Sequence, residues 1–152
     1  MKRVTGIGGI FFKSQNPQWL YEWYEKHLGI KREDPVPAEF HWRDAQNPKR
    51  KGKTVWALFP AHTKYFGEGP QAFMLNYIVD DLKAVLKVLR TEGVNVDAKM
   101  EEHEYGSFGW ITDPEGNRIE LWEPPVERVS GGRKKKPARK KSKLAGKKKK
   151  KR

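Results

Sequence analysis

A single carboxylate in an aromatic setting is the strongest chemical signal in this chain. In DPEGNRIELWE, Asp113 to Glu123, the turn residues Pro114, Gly116 and Asn117 precede a stretch that alternates polar and apolar. Period-two alternation puts Ile119 and Leu121 on one strand face and Arg118, Glu120 and Trp122 on the other. Glu120 and the Trp122 indole therefore point the same way, and antiparallel pairing across the Pro114 turn adds Trp110 and Phe108. A carboxylate among indoles is partly desolvated, so its pKa rises and it can act as a general base, with Glu104 or Tyr105 as proton-transfer partner. Glu120 is the candidate catalytic residue. The same arrangement also attracts cations.

Other chemistries are poorly supplied. The four histidines, His27, His41, His62 and His103, show no H-x-H or H-E-x-x-H spacing and read as ordinary solvated or hydrogen-bonded side chains. No Ser-His-Asp constellation is visible, and the glycines at 6, 8 and 9 lack a dinucleotide-binding context. The absence of cysteine excludes thiolate metal sites and Cys nucleophiles, and fits a reducing compartment.

The elements that must position Glu120 fall into two similar halves. Asn16 is placed to cap a helix with Pro17 at its first position, a stripe of Trp19, Leu20, Trp23, Tyr24 and Leu28, and Gly29 as its stop. A second helix is capped by Asp80, carries Leu82, Val85, Leu86 and Leu89, and ends at Gly93. Strands precede the helices at Gly6 to Lys13 and Ala72 to Val79. After the first helix come strand-like stretches near Ile30 to Glu33, at Glu39 to Arg43 and at Thr54 to Phe59. After the second come Val94 to Met100, Ser107 to Thr112 and Arg118 to Trp122. The order is βαβββ twice, an α+β chain. Ala45 to Lys53 reads as an exposed loop, and His62 to Gln71 as a plain linker between the halves, with a flap over a pocket as the alternative.

This doubled pattern resembles the vicinal oxygen chelate superfamily, which includes glyoxalase I, extradiol dioxygenases and bleomycin-resistance proteins. GIGGIFFKS (Gly6 to Ser14), WYEKHLGI (Trp23 to Ile30), FMLNYIVDDLKAVLKVLRTEGV (Phe73 to Val94) and the final hairpin carry the resemblance. It implies two βαβββ modules forming a cupped mixed sheet, and it permits a dimer that exchanges modules. In the metal-dependent members four ligands converge inside the cup. Here they would fall at or beside Gly9 and on Ala57, Met74 and Glu120, of which only Glu120 is a ligand type. The expectation is no cofactor, with a divalent metal at a rebuilt site as the alternative.

If Met74 faces the cup, alternation brings Asn76 and Ile78 with it and sends Phe73, Leu75 and Tyr77 under the helices. By the same rule Val55, Ala57 and Phe59 face inward and Trp56 and Leu58 behind, while the first strand adds Gly9 and Phe11. The expected ligand-binding residues are Phe11, Arg43, Phe59, Met74, Asn76, Trp110, Glu120 and Trp122. They form an aromatic cavity suited to a flat or amphipathic molecule, with a cation a natural occupant.

Charge divides the chain differently. The net charge is +13, yet residues 1–128 carry about −1, because every residue from 129 onward that is charged is basic. These are Arg133, Lys134, Lys135, Lys136, Arg139, Lys140, Lys141, Lys143, Lys147, Lys148, Lys149, Lys150, Lys151 and Arg152. With one leucine and no aromatic residue, 129–152 is expected to be a disordered polybasic tail that binds nucleic acid or another polyanion without reading sequence.

The domain expectation is therefore a glyoxalase-like unit at 1–128, with modules at about 4–61 and 72–124, followed by that tail. The chain is expected to be cytoplasmic and associated with nucleic acid through the tail, with no membrane span and a homodimer permitted. The expected function is metal-free binding of a small, partly aromatic ligand. The alternatives are an active lyase, isomerase or dioxygenase using Glu120, and a nucleic-acid-compacting protein acting through the tail.

Overall fold

A computed structural model describes residues 2–125. The strands are β1 (Val4–Ser14), β2 (Ala38–Arg43), β3 (Lys51–Pro60), β4 (Phe73–Val79), β5 (Asn95–His103), β6 (Gly106–Thr112) and β7 (Arg118–Glu123). The helices are α1 (Pro17–Leu28), which follows β1, and α2 (Leu82–Thr91), which follows β4. One seven-stranded mixed sheet runs β2-β3-β1-β4-β7-β6-β5. Its centre is the antiparallel β1–β4 pair, and each of these strands also has a parallel neighbour, β3 and β7 respectively.

Local signals explain both helices. The Asn16 side chain accepts from the Trp19 amide at 3.1 Å, and Gly29 takes the left-handed conformation, φ 67°, that closes α1 with a bond to Glu25 O. The buried face of α1 is not the expected stripe. Tyr21 is its buried residue, with Leu20 and Tyr24 packed beside it, while Trp19, Trp23 and Leu28 are exposed. The Tyr21 hydroxyl explains the rotation, because it accepts the Leu58 amide of β3 at 2.7 Å. At α2 the cap is Asp81, which accepts from the Ala84 amide, whereas Asp80 pairs with Arg50.

The first half is one strand short of the expected pattern. Ile30 to Glu33 forms no strand, and only an isolated bridge joins Glu33 to Val36 around Pro35. Proline removes a ladder donor, so pairing cannot extend there. Residues 51–53, expected in a loop, belong to β3.

Three apolar clusters hold the sheet. Behind it, α2 buries Leu82, Val85 and Leu86 against Val79 and Leu121, and α1 packs Tyr21 against Ala38, Trp56 and Leu58. Inside the cup lie Phe11, Ala57, Phe66, Met74 and Trp110. Neither helix covers the outer side of the β1–β4 seam. Phe73 and Leu75, expected under the helices, are therefore exposed beside Ile7 and Ile10, Phe73 at 67 %.

Candidate functional site

Strand register assembles the site from four neighbours. Gly9 of β1 lies opposite Asn76 of β4, Asn76 opposite Glu120 of β7, and Glu120 opposite Trp110 of β6. Residues in register share a face, so this row crosses the floor of the cup. Glu120 is 1 % exposed and Asn76 2 %.

A buried carboxylate must find donors. The Asn76 amide donates to one Glu120 oxygen at 2.6 Å, while the Trp110 indole at 3.0 Å and the Tyr65 hydroxyl at 2.5 Å donate to the other. Burial pushes the Glu120 pKa up; hydrogen bonds from Tyr65, Asn76 and Trp110 pull it back without cancelling the rise. Burial and the neighbouring Glu120 charge push the Tyr65 phenol up as well. Tyr65 is therefore a donor at neutral pH, and Glu120 is the group able to take a proton.

Tyr65 comes from the segment expected to be a plain linker. Its ring stacks on Phe59 at 5.4 Å and 12°, and meets the edge of Trp110 at 6.0 Å. The next residue, Phe66, is buried among Phe11, Ala57, Met74 and Trp110. Residues 61–72 thus cross the cup and fill it. The signal in the sequence was the adjacent aromatic pair Tyr65–Phe66 between a loop lysine and Gly67, apolar surface that a solvated linker does not need.

The expected ligand-binding residues are mostly brought together. Phe11, Phe59, Met74 and Trp110 form the wall, and Asn76 and Glu120 the polar floor. Trp122 lies beside them, stacked on Phe108 at 6.1 Å, its indole donating to Tyr105 O. Arg43 is not among them. It sits at the exposed end of edge strand β2, four strand positions from β7, and donates to Pro48 O. The expected proton-transfer partners are also elsewhere: Glu104 is exposed, and Tyr105 stacks on His103. Two surface clefts, of about 290 Å³ beside Arg43 and about 490 Å³ between Arg32 and Phe59, do not reach Glu120.

The residues present do not fit the four-ligand metal centre that the resemblance implies. Of the groups around Glu120, the Trp110 indole and Tyr65 phenol offer hydrogens, and Asn76 turns its amide nitrogen to the carboxylate. A Cβ at Gly8 would stand 2.1 Å from Asn76 Oδ1, and one at Gly9 2.4 Å from the Phe11 ring. The space for a β1 ligand is thus filled. Asn76 Oδ1 itself is buried without a hydrogen-bond partner. Among the described residues no group of three or more His, Cys, Asp or Glu could hold a metal. Nor is any described helix long and apolar enough to cross a membrane. The fourteen basic residues at 133–152 lie outside the described residues.

The profile of the Glyoxalase/Bleomycin resistance protein/Dioxygenase superfamily matches residues 14–121. No curated protein sequence matches the chain. Among solved structures, a methylmalonyl-CoA epimerase from Mycobacterium tuberculosis is similar at 22 % identity and a TM-score of 0.51, over 82 % of this chain and 91 % of that one. A substituted methylmalonyl-CoA epimerase from Streptomyces coelicolor, in complex with 2-nitronate-propionyl-CoA, is similar at 15 % identity and 0.58, over 81 % and 99 %. A structure described as NAD-dependent benzaldehyde dehydrogenase from Legionella pneumophila reaches 0.52 at 13 % identity, over 77 % and 98 %. At such identities the likeness shows the fold alone.

Proposed function

Because the chain belongs to the glyoxalase/bleomycin resistance protein/dioxygenase superfamily, we propose that it binds a small, partly aromatic molecule against Glu120 and Asn76, without the superfamily's usual metal. The observation that carries this reading is the row Asn76–Glu120–Trp110, a buried carboxylate with oriented donors inside aromatic walls. A buried charge is costly, and such groups concentrate where a site is built. In the test, tryptophan fluorescence of the full chain is followed during titration with phenols and aromatic amines. Saturable quenching that is lost in Glu120→Ala, with the fold retained by circular dichroism, supports the reading. Unchanged affinity in that variant contradicts it.

A second reading, an active enzyme, is favoured by the upward-shifted Glu120 beside a protonated Tyr65. Epimerisation, the activity named for two of the similar structures, needs a group that removes and returns a carbon-bound proton. Glu120 would do so, and Glu120→Gln would abolish turnover while leaving the fold intact.

The tail completes the proposal. Fourteen cations in 129–152 would hold nucleic acid by displacing counterions, in a cytoplasmic protein. Should the tail instead be the functional part, compacting nucleic acid, its removal would abolish every function rather than this association alone. The bare outer face of Ile7, Ile10, Phe73 and Leu75 supports a homodimer.

A further inference from the structure

The cup already contains an aromatic ring with a hydrogen-bond donor: the side chain of Tyr65. The phenol lies flat on Phe59, edge-on to Trp110, with its hydroxyl on Glu120. These are the three contacts that an aromatic ligand oriented by Glu120 would make. Tyr65 is 37 % exposed above a carboxylate that is 1 % exposed, so it stands between Glu120 and solvent.

The segment that carries it is lightly tied to the sheet. Ala61 N bonds Ser14 O of β1 at the near end; beyond it, among the described residues, the backbone bonds of 62–70 are local turns, Thr63 N to Pro60 O and Gly67 N to Lys64 O. The Tyr65 amide bonds the Thr63 hydroxyl, and Lys64 pairs with Glu68, again within the segment. The hold on the cup comes from the Tyr65 hydroxyl, the buried Phe66 ring and, at the far end, Gln71 donating to Gly116 O and Lys13 N to Ala72 O. Side-chain anchors at one place and backbone anchors only at the ends make a strap that can lift as a unit.

We propose that Tyr65 occupies the ligand subsite, and that the strap must lift for a ligand to enter. This rests on the ligand-binding reading above and deepens it by naming the ligand class: a single aromatic ring bearing a hydroxyl or amine donor. Ligands whose ring substituent is a carboxylate are excluded, because they would face Glu120 with like charge and no donor. Affinity of the native chain is lowered by the fraction of time the strap is closed.

The probe is p-cresol, which reproduces the tyrosine side chain, with toluene as its donor-free match. Both are titrated calorimetrically into the full chain as wild type, Tyr65→Ala and Tyr65→Phe, each checked for native circular dichroism. Tyr65→Ala should bind p-cresol saturably, at least about tenfold tighter than toluene and than wild type binds p-cresol, the factor of one hydrogen bond to a charged group. Tyr65→Phe, which keeps the ring and loses the hydroxyl, should also bind p-cresol more tightly than wild type; it carries the test if Tyr65→Ala does not fold. Equal affinity for toluene would overturn the donor assignment. Wild type binding p-cresol as tightly as both variants would overturn the occlusion while leaving the cup as a binding site. Failure of folded Tyr65→Ala to bind p-cresol would overturn this inference, whereas the ligand-binding reading falls only if the Glu120-dependent titration fails too.

Discussion

The two faces of the sheet solve the same problem differently. Inside the cup the chain supplies its own filling: Phe66 completes the apolar cluster and Tyr65 supplies a donor to Glu120. On the outer side of the β1–β4 seam, Ile7, Ile10, Leu75 and Phe73 have nothing laid over them among the described residues, because α1 sits toward β3 and α2 toward β5–β7. A face with a buried charge has been closed with matched hydrogen bonds. A face with only hydrocarbon has been left open. The first arrangement costs far more to disturb, since a buried ion stripped of its donors has no substitute for water.

The contrast predicts a graded set of effects. Phe66→Ala should destabilise the domain by about 3–5 kcal/mol, as removal of a buried ring does, measured by urea denaturation. Tyr65→Phe should cost about 1.5–3 kcal/mol, because a hydrogen bond to a carboxylate is lost. A cost near zero would mean that the strap is not engaged with Glu120. On the outer face, Phe73→Ser in a monomeric chain should change stability by no more than about 0.5 kcal/mol. A loss as large as that of Phe66→Ala in the native chain at concentrations where copies associate, and not at dilutions where it is monomeric, would show that a second copy covers the seam.

The pH dependence sharpens the same contrast. Burial raises the folded-state pKa of Glu120 above its unfolded value. Below the unfolded value, about pH 4.3, both states hold the proton and the group's favourable contribution is fully present. As pH rises the unfolded chain ionises first, so that contribution is lost until the folded pKa is passed. Glu120→Gln removes this loss. The stability of wild type relative to the variant should therefore fall as pH rises above the unfolded value, and level off once the folded pKa is passed, whatever constant offset the altered hydrogen bonds introduce. A flat difference would contradict the burial of an ionisable Glu120.

Much of this was legible in the residues. Asn16-Pro17 and Gly29 bound α1 where their side chains and backbone freedom require, and alternation in RIELWE placed Glu120 on the face opposite Leu121. Alternation in FMLNYIV likewise put Asn76 on the face of the cup, where it meets Glu120. What the sequence hid were choices made by tertiary packing. The α1 stripe turned to let Tyr21 reach the β3 backbone, and the strand near Ile30 was lost at Pro35. Arg43 alternates correctly along β2, yet strand order carries it to the edge of the sheet. Tyr65 was missed because periodicity is silent in a loop, where a side chain's destination depends on the path of the backbone.

The most direct test is a carbon-13 NMR titration of the Glu120 carboxyl in wild type and Tyr65→Phe. The expected result is a pKa above the ordinary glutamate range in wild type, and a further rise in the variant, where a hydrogen bond that favours the charged form is gone. An ordinary value that does not respond to Tyr65→Phe would contradict it, by showing that Glu120 is solvated and that the strap does not close the cup.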